Sequence, residues 1–260
     1  MKITRFAPSP TGNLHIGGVR TALFNFVFSK QAGGLFLIRI EDTDRERSKK
    51  EYEEDIISGL EWLGISADKT PIRQSERSDV YQKAAEKLID SGNAYWCDCS
   101  PEDLEAMREQ QMAAGKKPMY DGRSRDLGLE RSKNTVLRLA TPIDGETIVK
   151  DLIRGDIIFK NSELDDLILL RSDGTPTYHF CNVVDDYDQG ITTVIRGEDH
   201  ISNTPRQIHI QKALGYKELE YAHLPLVLGE DKKRLSKRHA ATSLNACLLY
   251  TSDAADDPTC

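Results

Sequence analysis

Residues 5–18, R-F-A-P-S-P-T-G-N-L-H-I-G-G, constrain the fold more than any other stretch, because they set a strand end, a Pro/Gly turn and a helix start side by side. Ile3 to Ala7 has the composition of a strand, and Pro8 to Gly12 cannot continue it. After Gly18 the chain reads V-R-T-A-L-F-N-F-V-F, with an apolar face at helical spacing. Strand, loop and helix in this order aim the helix N-terminus at the loop. Exposed N–H groups and the positive dipole end favour an anion there, and glycines let a ligand approach the backbone. A lone His-x-Gly is ordinarily a structural turn with a capping histidine, so His15 alone decides nothing.

The alternation continues. Val19 to Ala32 is expected as a helix, Leu35 to Ile40 as a strand, and Glu51 to Leu63 and Ser78 to Ser91 as helices. This order predicts an α/β fold: a parallel sheet with crossover helices and a ligand beyond the C-terminal strand ends, where Arg5, His15 and Arg39 to Asp44 fall. From Ala94 to Cys99 the character changes to that of an insert. A polar helix is expected over Pro101 to Ala114 and a strand over Thr135 to Leu139, followed by strands over Leu167–Leu170, Thr177–Phe180 and Thr192–Ile195 and a helix over Thr204–Leu214. No internal repeat is found. From Ala246 the chain reads A-C-L-L-Y-T-S-D-A-A-D-D-P-T-C, without amphipathic period.

At 260 residues, 38% hydrophobic and 30% charged, the chain can bury one large core or two unequal ones. It shows neither a signal-peptide apolar core nor a run long enough to cross a bilayer, so a soluble, cytoplasmic protein without a membrane partner is expected. Five cysteines, an odd number without framework spacing, read as thiols in a reducing compartment. The net charge of -7 runs against nucleic-acid binding. Local basic clusters offset it: Lys116, Lys117, Arg123, Arg125, Arg131 and Lys133 mid-chain, and Lys232, Lys233, Arg234, Lys237 and Arg238 later. Each also reads as a solvated face.

His15-Ile16-Gly17-Gly18 resembles the HIGH signature of class I aminoacyl-tRNA synthetases, in the form seen in bacterial glutamyl-tRNA synthetases, with Gly18 where the general motif has a second histidine. Arg234-Leu235-Ser236-Lys237-Arg238 resembles the KMSKS loop of the same family, in the expected order. The resemblance implies a Rossmann-like parallel sheet with an inserted α+β acceptor-binding domain. Residues 1–95 would be the first catalytic half, 96–175 the insert, 176–245 the second half with the KMSKS-like loop, and 246–260 a non-family tail. The chain is read as truncated before the helical domains that recognise the anticodon.

The reaction so implied is ATP-dependent formation of glutamyl adenylate from L-glutamate, then transfer to the 3′ end of tRNA(Glu), with Mg²⁺ accompanying ATP. The substrate carboxylate is itself the nucleophile, so catalysis is by positioning and electrostatic stabilisation. The resemblance makes His15 and Lys237 catalytic. It places ATP on Pro8, Ser9, Pro10, Thr11, Gly12, His15, Gly17, Gly18 and the Arg234, Leu235, Ser236, Lys237 and Arg238 loop. Glutamate is assigned to Arg5, Ala7, Ser9, Glu41, Tyr178, Asn182 and Arg196, since a guanidinium grips a carboxylate through two hydrogen bonds and Glu41 suits the ammonium. Tyr178 and Asn182 read equally as satisfied polar residues of a buried strand, Asp185 and Asp186 as turn caps, and His200 as a surface position.

Two departures stand out. Some glutamyl enzymes complete a zinc site with a Cys and a His after a Cys pair like Cys97-Asp98-Cys99. Here Ser124 and Asp126 stand at those places, so no zinc is expected. His239-Ala240-Ala241 replaces the usual His-Gly-Ala, which restricts the backbone after the lysine loop. The rival readings are the shorter relative that glutamylates a modified base in tRNA(Asp), and an inactive tRNA- or nucleotide-binding fragment. A monomer is the family expectation.

Overall fold

The computed structural model describes residues 1–227. In chain order they form β1 (Ile3–Phe6), α1 (Ile16–Gln31), β2 (Leu35–Ile40), α2 (Lys50–Trp62), β3 (Ile72–Arg73), α3 (Ser78–Asp90), β4 (Ala94–Cys97), α4 (Pro101–Ala113), β5 (Val136–Leu139), β6 (Glu146–Asp151), β7 (Gly155–Lys160), β8 (Ile168–Leu170), α5 (Tyr178–Asp188), β9 (Thr193–Gly197), α6 (Thr204–Ala213) and β10 (Glu220–Leu224). They divide into two compact units: Met1–Glu76 with Ile191–Ile201 and residues 219–227, and Arg77–Gly190 with Ser202–Glu218.

The first unit is built on parallel pairing. β1 pairs with β2, β2 with β3, and β9 with β10, while the Thr192 N–H donates to the Ile3 carbonyl at 2.9 Å and ties β1 to the start of β9. One sheet face is apolar: Phe6, Phe36, Ile38 and Ile40 pack with Val19 and Ala22 of α1 and Ile56 and Leu60 of α2. Ile195, Ala222 and Leu224 pack with Phe28 of α1. Helix α1 ends in a Schellman turn, with the Gly33 N–H donating to Lys30 O and the Gly34 N–H to Ser29 O, which requires the left-handed φ of 58° at Gly33. The chain is thereby turned directly into β2.

The second unit holds an antiparallel β4–β5–β8 sheet and the β6–β7 hairpin. Its core joins Tyr81, Ala85 and Leu88 of α3 to Leu137, Leu139, Leu169 and Leu170 of the sheet and to Phe180, Val183 and Val184 of α5. Helix α4 opens on a capping box, with Ser100 and Asp103 exchanging side-chain-to-backbone hydrogen bonds at 3.0 and 3.1 Å ahead of Pro101.

The structure corrects three readings. Thr177–Phe180 is not a strand: Tyr178 opens α5, and seven of its eleven residues, Phe180 to Asp186, are buried. The Thr, Tyr, Phe and Val content favours a strand locally, but packing against α3, the β4–β5–β8 sheet and α6 decides for helix. Asp185 does not cap a turn. Fully buried within α5, it accepts from Arg77 Nε at 2.8 Å and the Tyr81 hydroxyl at 2.9 Å. Helix α1 starts three residues before Val19, because His15 caps it and both glycines lie inside its first turn.

Candidate functional site

The loop between β1 and α1 is held by the segment that follows β2. The Glu41 N–H donates to Pro8 O at 2.9 Å, the Lys49 N–H to Pro10 O at 3.0 Å, and the Leu14 N–H to Asp55 Oδ2 of α2 at 2.8 Å; inside the loop the Thr11 N–H donates to Ser9 O at 2.8 Å. Pro8, Ser9, Pro10, Thr11 and Gly12 are therefore fixed at the C-terminal end of β1, where a parallel sheet presents its ligand.

His15 is exposed and is the N-cap of α1, its Nδ1 accepting the Gly18 N–H at 3.2 Å. The capping role does not compete with a catalytic one. With Nδ1 accepting, the proton of the neutral ring sits on Nε2, and a donor stands at a helix N-terminus, the arrangement an anionic phosphate needs. A Cβ at Gly17 would stand 3.1 Å from His15 Nδ1, and one at Gly18 3.2 Å from Leu14 Cδ1. Gly17 thus makes room for the His15 ring.

The sheet face turned away from α1 is charged. Arg5 pairs with Leu37, and alternation along β2 puts Arg39 and then Glu41 on that side; Arg196 and His223 are paired across β9 and β10 on the same side, since Ile195, Ala222 and Leu224 take the α1 side. All five are buried, at 6% exposure or less. Arg39 Nη2 and Glu41 Oε1 are 3.1 Å apart. The cations Arg196 and Arg5 act on His200. This histidine is half-buried rather than a surface residue, and its pKa is pulled down to about 4, first by burial and then by Arg196 and Arg5, with Asp199 opposing.

Sequence reasoning placed Arg39 at the ligand end of the sheet without giving it a role, and it missed His223. Arg39 had a signal, an arginine in the otherwise apolar L-F-L-I-R-I at the parity of Leu37, which marks a buried cation that needs a partner. His223 had none, because β10 was not foreseen.

Ala7 is half-buried in the first unit beside the loop. Tyr178 and Asn182 lie on α5 of the second unit. Tyr178 packs edge-on to His179 at 5.2 Å, and Asn182 Oδ1 accepts from Gln207 Nε2 of α6 at 3.4 Å. Arg234, Leu235, Ser236, Lys237 and Arg238 lie outside the described residues, as do His239, Ala240 and the 246–260 tail.

Around the Cys pair, Cys97 Sγ lies 3.4 Å from the Tyr120 hydroxyl and Cys99 Sγ 3.8 Å from Ser124 Oγ. Two thiols, a phenol and a hydroxyl do not make the four Cys or His ligands of a structural zinc site. Among the described residues no group of three or more His, Cys, Asp or Glu is placed to hold a metal, and no helix is long and apolar enough to cross a membrane. The mid-chain basic cluster is largely committed internally: Arg123 is paired with Asp121, Arg125 with Asp166, Lys117 with Glu163 O, and Arg131 lies over the Trp96 ring.

A buried histidine of the second unit behaves like the half-buried His200. His209 of α6 meets Thr147 Oγ1 at 2.7 Å, and burial, then Lys212 and Arg206, lower its pKa to about 4. Both folded-state values lie below the unfolded value near 6.5, so from pH 6.5 down to about 4 the unfolded chain holds more protons and stability falls with pH. Unfolding by urea is expected to show a loss of about 2 kcal/mol per histidine between pH 7 and pH 5. His209→Asn should remove one share. A stability unchanged over that interval would contradict the lowered pKa of both rings.

The family model described as tRNA synthetases class I (E and Q), catalytic domain, matches residues 2–259. The chain is 57% identical over 240 residues to a glutamate--tRNA ligase of Thermodesulfovibrio yellowstonii, covering 92% of this chain and 52% of that protein. It is 56% identical over 243 residues to the corresponding ligase of Geobacter sulfurreducens, with 93% and 52% covered. The chain thus spans about half the length of the curated relatives it matches. A crystal structure of a glutamate tRNA ligase from Elizabethkingia meningosepticum in complex with its amino acid superimposes with TM-score 0.83 at 39% identity, over 91% of this chain and 52% of that one. Methionyl-tRNA synthetase of Mycobacterium tuberculosis, at 12% identity and TM-score 0.63 over 96% of this chain and 62% of that one, shares the fold.

Proposed function

We propose, since the chain belongs to the class I tRNA synthetases for glutamate and glutamine, that it carries the catalytic part of a glutamate--tRNA ligase, activating L-glutamate with ATP and transferring it to the 3′ end of tRNA(Glu). The observation that carries this reading is the buried charged layer of the first unit, with Arg5 of β1 and Arg196 of β9 both on the side of their strands turned away from α1 and Glu41 directly after β2. An amino acid with a side-chain carboxylate needs that combination. Arg5 and Arg196 take the carboxylate through paired N–H donors, and Glu41, its charge partly met by Arg39, takes the α-ammonium. Burial strengthens each contact by excluding water.

The proposed chemistry needs no protein nucleophile. The α-carboxylate of glutamate attacks the α-phosphorus of ATP and pyrophosphate leaves. His15, through Nε2–H, holds phosphate oxygens as charge develops, and the Pro8–Gly12 loop with Gly17 and Gly18 seats the nucleotide. Lys237, with Arg234, Leu235, Ser236 and Arg238, is proposed to neutralise the departing pyrophosphate, with Mg²⁺ accompanying the nucleotide. Ala7, Ser9, Tyr178 and Asn182 are proposed glutamate contacts on the resemblance alone. The 96–175 segment is proposed to bind the tRNA acceptor end, between catalytic halves at 1–95 and 176–245. A cytoplasmic monomer is proposed on the same basis.

Glutamate-dependent exchange of pyrophosphate into ATP, with and without unmodified tRNA(Glu), tests this. Exchange that requires the tRNA is expected, whereas tRNA-independent exchange would indicate the base-modifying activity and none at all a binding fragment. Arg5→Ala is expected to raise the KM for glutamate about 10²- to 10³-fold with the KM for ATP unchanged, as loss of a charged two-point contact implies. Lys237→Ala should slow exchange about 10²-fold at near-constant glutamate affinity. Parallel loss of ATP and glutamate affinity in Arg5→Ala would remove Arg5 from the pocket.

A further inference from the structure

We infer that His223 is a positioning residue for the Arg196 guanidinium, and so a determinant of the preference for a side-chain carboxylate over an amide. The inference rests on the glutamate reading above. Arg196 Nε donates to His223 Nε2 at 3.2 Å, between directly paired residues of β9 and β10. His223 has no solvent exposure and Arg196 only 6%. Tyr221, two residues earlier on the same face of β10, stacks parallel to the His223 ring with centroids 6.3 Å apart and an interplanar angle of 5°, and its own ring centroid lies 5.9 Å from Arg196 Cζ. The imidazole is thus a fixed wall, and the guanidinium is held by its inner edge.

A guanidinium is a planar fork with five N–H donors, and the edge used to anchor it decides which edge meets a ligand. With Nε directed at the imidazole, a carboxylate is met at the Nη end, where two parallel N–H···O bonds form. An amide offers one oxygen and an NH₂ that opposes the second N–H, so it gains only half of this contact. Without the imidazole acceptor at Nε the fork is directed less sharply, and the difference between the two ligands narrows. The arrangement also requires the neutral imidazole, because Nε2 accepts only when unprotonated.

The test separates positioning from bulk. His223→Leu keeps apolar volume and removes the acceptor; His223→Gln returns an oxygen near the place of Nε2. In the tRNA-dependent exchange assay the Leu variant is expected to raise the KM for glutamate about 10-fold, as loss of one hydrogen bond to a charged group implies. The ATP KM should stay within about twofold, and the preference for glutamate over glutamine should fall by a comparable factor. The Gln variant should recover most of both. Should the Leu variant not fold, His223→Asn, whose amide is one methylene shorter, withdraws the same acceptor and is expected to behave like it. Unchanged glutamate KM and preference in the Leu or Asn variant, or equal damage from Gln, would overturn the role. So would a joint rise in the ATP and glutamate KM. If the unsubstituted protein shows no glutamate dependence, the pocket reading fails first and this inference falls with it.

Discussion

Alanine at Gly34 is expected to cost the first unit about 3 kcal/mol, at the upper end for an overpacked site. A Cβ there would lie 1.7 Å from the carbonyl oxygen of Lys2 and 2.7 Å from its carbonyl carbon. Both are backbone atoms, so no side chain can swing away. The same carbonyl accepts the Leu35 N–H at 3.0 Å, the first rung between β1 and β2, and the rung has to open to admit the methyl group. β1 then moves, and Arg5 moves with it. Gly33→Ala is the control: its φ of 58° makes alanine strained by about 1 kcal/mol, yet nothing lies within 4 Å of its Cβ. In urea titrations Gly34→Ala should fall well below Gly33→Ala, and glutamate affinity should fall with it. Equal losses would mean that β1 does not pass so close to the α1–β2 turn.

Asp166→Ala is expected to be the most damaging single change in the second unit, at about 3–5 kcal/mol, because it strands several donors around a buried charge. Asp166 is 2% exposed. Its carboxylate accepts from Arg125 Nε at 2.7 Å, from Arg125 Nη2, from the Tyr95 hydroxyl and from the Thr141 N–H at 3.0 Å. Burial, and then the bond to Asp166, push the Tyr95 phenol above its ordinary pKa, so it remains a donor. Removing the carboxylate leaves the Arg125 cation with only the Thr141 carbonyl among these contacts. Asp166→Asn keeps an acceptor for the Thr141 N–H and should lose less. A loss below about 1 kcal/mol in the alanine variant would show that Asp166 is not the hub of this unit.

Local sequence determined the alternation of strand and helix through α3, since Pro8, Pro10 and Gly12 break the chain where β1 ends, and α2 and α3 bury apolar residues at helical spacing, Ile56 and Leu60 in one and Tyr81, Ala84, Ala85 and Leu88 in the other. It also determined the loop proposed to take phosphate, because the residues that shape it are neighbours in the chain. Helix α5 was not legible: Thr177–Phe180 has strand composition, and only the sheet and helices packed against it make Phe180, Val183 and Val184 one buried stripe. Nor was the basic cluster's fate, since Arg125 and Asp166 are 41 residues apart and meet only in the folded unit. The proposed carboxylate site divides in the same way. Arg5, Glu41 and Arg196 carry recognisable chemistry at recognisable motifs, whereas the burial they share away from α1, the Arg39 partner of Glu41 and the His223 acceptor behind Arg196 arise only in the folded unit. Residue chemistry is inherited from the sequence; orientation and mutual charge arise only when distant strands are hydrogen-bonded in register, because burial and pairing are properties of neighbours in space.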